Sequence, residues 1–143
     1  MSPWLQAGLA GGAAAAAWGL AEPFDRELFR FPYSDIALLG LLVTRGPRWR
    51  TAGWVLHVAN GVVAGLVFWA VYDRLGGNAF RLAIAFAMVE HVLTYPLTLL
   101  TDRLHPARGS PQLPPMARSG RAFAQATFRH LLFGVVLGLL VSI

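Results

Sequence analysis

The chain has 143 residues, of which 56% are hydrophobic and only 13% charged, and its mean hydropathy is +0.53. That is too apolar for a soluble domain of this size and places the protein in a membrane. The absence of cysteine excludes disulfides, zinc-thiolate sites and iron-sulfur clusters. The net charge of +5 is carried by twelve arginines with no lysine. They sit between apolar segments instead of forming a face with interleaved aromatics, so no nucleic-acid partner is expected.

Pro3 to Ala21 is an alanine- and glycine-rich apolar run of 19 residues. It is just long enough to cross a hydrocarbon core of about 30 Å at about 1.5 Å per residue. Its small side chains suit a helix packed between other helices. Pro23, Asp25, Arg26 and Glu27 close it, and Glu22 is expected to pair with Arg26 one turn on. Residues 34–44 are apolar but too few for a straight span. They read as a re-entrant or interfacial helix with Ser34 or Asp35 as N-cap.

The run Arg45-Gly-Pro-Arg-Trp-Arg50 is a basic aromatic knot suited to headgroups on the cytoplasmic side. Thr51 to Tyr72 and Leu82 to Thr101 are the second and third expected spans, joined by a tight loop. Residues 102–121 form a longer connector with four prolines and four arginines, in which His105 reads as solvated. Ala122 to Ile143 is the last expected span.

Basic residues in short loops stay in the cytoplasm. With four spans, Arg26, Arg30, Arg45, Arg48, Arg50, Arg103, Arg108, Arg118 and Arg121 share one side, and only Arg74 and Arg81 lie on the other. An inner (cell) membrane location with both termini outside the cytoplasm follows. Trp4, Trp69, Tyr72 and Phe80 then fall at the outer boundary, and Trp49 and Trp54 at the inner one.

His57-Val-Ala-Asn-Gly-Val-Val-Ala-Gly-Leu66 returns as His130-Leu-Leu-Phe-Gly-Val-Val-Leu-Gly-Leu139, 73 residues later. The same offset aligns Pro23 with Pro96 and sets Arg30, Arg45 and Arg48 on Arg103, Arg118 and Arg121. Apolar composition does not bias proline and arginine positions, so the match reads as a tandem duplication. The expected fold is an all-α integral membrane protein: one membrane domain, 1–143, with four transmembrane helices. They form two parallel two-helix repeats, about 1–73 and 74–143, plus the short helix 34–44, related by an axis along the membrane normal.

Positions i, i+4 and i+8 share a helix face, so His57, Gly61 and Gly65 form one stripe, and His130, Gly134 and Gly138 its repeat. The GxxxG spacing lets backbones approach, with each histidine at the mouth of the contact. Glu90 and His91 fall near the membrane midplane, where an ionisable residue implies a functional or pairing role. They break the repeat, since they align with Ala17 and Trp18, while Tyr95 aligns with Glu22 and Asn60 with Phe133.

The expected site is therefore a polar pocket open to the cytoplasm, with Glu90, His91, His57, His130, Asn60 and Tyr95 binding or relaying a proton, ion or small ligand. His57, His91, His130 and Glu90 could also hold a metal, or two histidines a haem, although none has reinforcing spacing. Arg129, Arg48 and Arg50 are candidate contacts to a lipid headgroup, with Arg129 otherwise snorkelling to the interface. A further reading is a non-catalytic scaffold or accessory subunit in a homo-oligomer or larger membrane complex, held by a buried Glu–His clasp. Another is a membrane protein that binds or acts on a lipid or quinone at the cytoplasmic leaflet. No serine elbow, acidic pair or Asp-rich phosphate motif appears, so the pattern leans away from an enzyme and leaves the cofactor open.

Overall fold

A computed structural model describes residues 1–142, which form helices and connecting turns. Helix α1 runs Pro3–Phe29, α2 Asp35–Val43, α3 Trp49–Leu75 and α4 Ala79–Thr94. A 3-10 turn at Tyr95–Leu97 leads into α5, Thr98–Leu104, and α6 covers Gly120–Val141.

Each start has a local cause. Ser2 caps α1, with Pro3 in the first turn where its missing N–H costs nothing. Ser34 caps α2 by accepting from Ala37 N at 3.1 Å, as expected. Asn78 and Ser119 do the same for α4 and α6. The α3–α4 hairpin turns on Gly76 and Gly77, whose φ of 64° and 89° favour glycine. Pro96 converts the end of α4 into the 3-10 turn, since it removes one backbone donor.

Helix α1 continues past the expected end at Ala21, through Pro23, to Phe29. Its added turns bury Glu22 and Asp25, and tertiary pairing outweighs the proline. Glu22 does not pair with Arg26. Its carboxylate accepts from Ser34 Oγ (2.6 Å), Asp35 N (2.7 Å) and Ile36 N (3.3 Å), so it holds the start of α2.

Helix α1 packs against α3 and α6, α4 packs against α6, and α2 lies on α3, whereas α3 and α4 touch only sparsely. Glycines make the close contacts possible. A Cβ on Gly61 would stand 2.5 Å from Gly11 O, and one on Gly65 3.1 Å from Gly11 Cα. On the other pair, a Cβ on Gly134 would lie 2.9 Å from Ile84 Cα and one on Gly138 3.0 Å from Phe80 Cα. Any side chain there would force the helices apart.

Both termini share one end, where Gln6 Nε2 donates to Leu140 O at 3.2 Å. The opposite end holds α2 and the 105–119 loop. That loop is tied down: Asp102 accepts from Met116 N (2.9 Å) and Ala117 N (2.8 Å), and Leu113 and Met116 pack with Tyr33 and Ala122. His105 is not solvated. It is 5% exposed, with Nε2 donating to Leu38 O at 2.9 Å and Nδ1 accepting from Ala107 N at 3.0 Å.

Three helical stretches are long and apolar enough to cross a membrane: Trp49–Leu75, Ala79–Leu104 and Gly120–Val141. Helix α1 is as long as α3 but is not among them, because its glycines, tryptophans and prolines, with Gln6 and Glu22, dilute the hydropathy of its alanines and leucines. The outward faces carry exposed valines and leucines, among them Leu9 and Leu20 on α1, Val63 on α3 and Val89 and Leu93 on α4. An apolar rim of this kind fits lipid contact.

Candidate functional site: a cleft between α3 and α4

Where α3 and α4 separate, a cleft of about 310 Å³ opens. His57 and Asn60 line it from α3, Glu90, His91 and Thr94 from α4, His130 from α6, with Tyr95 and Asp35 at the α2 end. All six residues singled out as ligand or relay candidates thus face one space. Most of the remaining wall is apolar, including Leu38, Ala64 and Phe133.

Four rings stand in sequence along the wall. His57 meets Trp18 with centroids 5.5 Å apart, Trp18 meets His130 at 4.8 Å, and His130 meets His91 at 4.8 Å. Trp18 was not a sequence candidate. Its alignment with His91 was the available signal, because two bulky rings then occupy equivalent positions on α1 and α4.

Hydrogen bonding fixes the tautomer of each neutral histidine. His57 Nε2 lies 3.0 Å from Ala15 O, and His130 Nδ1 2.8 Å from Ala126 O; a carbonyl only accepts, so those nitrogens carry the protons. The Thr127 hydroxyl donates to Phe123 O at 2.9 Å, which leaves its oxygen to accept from His91 Nε2 at 3.0 Å. The second nitrogen of each ring is then a bare acceptor. His91 is 1% exposed and its Nδ1 has no hydrogen-bond partner. Glu90 is half-buried, and none of the ion pairs among the described residues involves it.

The four residues expected as possible metal ligands are spread along the cleft wall. Among the described residues, no three His, Asp or Glu side chains converge as ligands, so His57, His91, His130 and Glu90 line a common space without facing a common point. Edge-on and tilted ring contacts through Trp18 set the three histidines one after another along the wall.

Arg129 requires the largest correction. It is fully buried, so it neither snorkels nor reaches a headgroup. Nε donates to Asp25 Oδ2 at 2.6 Å and Nη2 to Asp25 Oδ1 at 2.7 Å, a bidentate pair. Nη1 reaches Asp35 Oδ2 at 2.6 Å, Nη2 also donates to Tyr33 O at 3.0 Å, and Glu22 Oε1 lies 3.7 Å away. Gln125 Nε2 donates to Asp25 at 2.7 Å and Trp18 Nε1 to Asp35 at 2.9 Å. An arginine well inside an apolar span calls for a carboxylate partner, the signal that could have found Asp25 and Asp35. Arg48 and Arg50 are exposed at the start of α3, away from the cleft, with Arg50 over the Trp49 ring at 5.3 Å.

Two groups of this node lie outside the long apolar helices. Burial opposes the charge on Asp35, but the Arg129 guanidinium and the hydrogen bonds from Tyr33 and Arg129 outweigh it and hold its pKa below the ordinary 3.8. Burial, then the neighbouring Asp35 charge, pushes the Tyr33 phenol well above 10.0.

The arrangement can present acceptors to a small guest in a mostly apolar enclosure. It is a helical membrane protein with buried polar residues. No family model, curated protein or solved structure matches the chain.

Proposed function

We propose that the protein binds a small amphipathic molecule in the cleft between α3 and α4. The observation that carries this reading is His91 Nδ1, a buried acceptor without a partner, in the wall of a largely apolar space that also holds Glu90. Small-molecule sites are typically apolar enclosures of about 300–1,000 Å³ with a few placed polar groups.

The reading takes α1 as a fourth span, at an inner membrane, with the α2 end in the cytoplasm, where nine arginines collect against two at the opposite end. The repeat supports this placement. Gly61 on Gly11 has its counterpart 73 residues later in Gly134 on Ile84, and Trp18 against His57 has its counterpart in His91 against His130. The α1–α6 contact is close while the equivalent α4–α3 contact is parted. The cleft occupies that parting, which gives a guest a lateral way in from lipid.

A relay across the whole membrane has less support. The buried polar residues, Glu22, Asp25, Ser34, His57, His91, His105, Gln125 and Arg129, reach no further than the histidine level. Beyond it the packing is Ala10, Phe68, Ala83 and Leu137.

Solvent extraction and mass spectrometry of the purified protein test the proposal. Thr94 and Asn60 are exposed residues at the cleft, so Thr94→Trp and Asn60→Trp obstruct it with little cost to folding. A bound small molecule present at a constant ratio in the native protein and depleted in both variants is expected. Equal content in all three proteins contradicts the proposal.

A further inference from the structure

The charge and hydrogen-bond polarity of the cleft go one step further than its existence, and the step rests on the binding reading above. We infer that the guest is a cation: a protonated amine carrying an apolar tail.

Although the chain has twelve arginines, none lines the cleft, while two carboxylates, Asp35 and Glu90, do. Arg129 lies behind Asp35 and is the only cation of its node, with three carboxylates within 4.0 Å. The field reaching the cleft from that side is negative. Glu90 brings a further carboxylate with no ion-pair partner. A phosphate or carboxylate headgroup would enter against this field with no guanidinium to receive it.

The hydrogen-bonding groups have the same polarity. His57, His91 and His130, which line the cleft, each spend their N–H on a protein acceptor, so each ring keeps only a lone pair. An ammonium group has three N–H donors and no acceptor, the complement of that set. Trp18 and Tyr95 add aromatic rings to the wall, and aromatic rings attract cations. Leu38, Ala64, Leu97 and Phe133 offer the apolar remainder to a hydrocarbon tail.

The test uses three probes with the same tail: octylammonium, octanol and octanoate. Binding to the full chain in lipid nanodiscs is measured by calorimetry near neutral pH, with empty discs subtracted. A charge-assisted hydrogen bond corresponds to a gain of about 10- to 100-fold. Octylammonium is expected to bind more tightly than octanol by a factor in that range, and octanoate more weakly than either. Glu90→Gln keeps the shape of the side chain and is expected to remove about ten-fold of the octylammonium affinity while leaving octanol unchanged. Equal binding of the three probes, or an unchanged octylammonium affinity in Glu90→Gln, overturns the cation assignment and leaves the binding cleft standing. Binding of none of the three overturns the cleft as a binding site as well.

Discussion

Arg129 grips Asp25 through two parallel hydrogen bonds of 2.6 and 2.7 Å, at a place where neither side chain meets solvent. The pair joins α6 to α1, and through Asp35 the same guanidinium reaches α2. A buried charge left without its partner costs about 3–5 kcal/mol. Arg129→Met should therefore destabilise the protein by about that amount, since it strands several carboxylates at once. Arg129→Lys should fail to restore it, because an ammonium cannot reproduce the planar fork that binds Asp25 in two places. Unfolding in detergent followed by circular dichroism measures both. A lysine variant as stable as the native protein would show that charge alone suffices.

Asp35 and Tyr33 give the stability a pH dependence at both extremes. Asp35 titrates below 3.8 in the folded protein, so its contribution is complete above that value and is lost as the pH falls through the folded pKa. Tyr33 has a folded pKa well above 10.0, so its contribution is complete below that value and declines as the pH rises beyond it. In thermal unfolding at a series of pH values, Asp35→Asn should flatten the acid limb and Tyr33→Phe the alkaline limb. Unaltered limbs in both variants would place the titration elsewhere.

The glycine contacts predict unequal costs for one kind of substitution. Gly61→Val and Gly134→Val each drive a side chain into the facing helix, and overpacking of this sort costs about 1–3 kcal/mol or more. A Cβ at Gly120 meets nothing within 4 Å, so Gly120→Ala should be tolerated. Gly61 and Gly134 lie 73 residues apart, so the proposed duplication predicts comparable losses from the two valines. A loss confined to one would mean that the two helix pairs do not share a packing mode.

His105 anchors the long connector. His105→Ala removes the donor to Leu38 O and the acceptor of Ala107 N, leaving backbone groups unpaired at about 1–3 kcal/mol each. Limited proteolysis should cut the 105–119 loop faster in this variant. Unchanged cutting would assign the anchoring to Asp102 instead.

Much of this was legible in the sequence where the signal is local or periodic. The apolar runs and the N-cap of α2 follow from spacing, Gly61, Gly65, Gly134 and Gly138 stand at close helix contacts, and six polar residues singled out by type and depth line one cleft. Partnerships between distant segments were not legible. Glu22 has Arg26 within one turn, yet it caps α2, and Asp25 meets Arg129 across 104 residues. His105 looked solvated in a proline-rich connector, but Asp102 folds that connector back over Tyr33. The 73-residue offset sets Trp18 on His91, but its place between His57 and His130 depends on α1 lying beside α3 and α6.

The most direct measurement is an experimental structure of the protein in lipid nanodiscs, at a resolution that shows side chains. The binding account predicts elongated non-protein density between α3 and α4, with its polar end hydrogen-bonded to Glu90 or His91 and its tail along Ala64 and Phe133. Helices α3 and α4 closed upon each other, with His91 Nδ1 bonded to a protein donor in place of a guest, would contradict it.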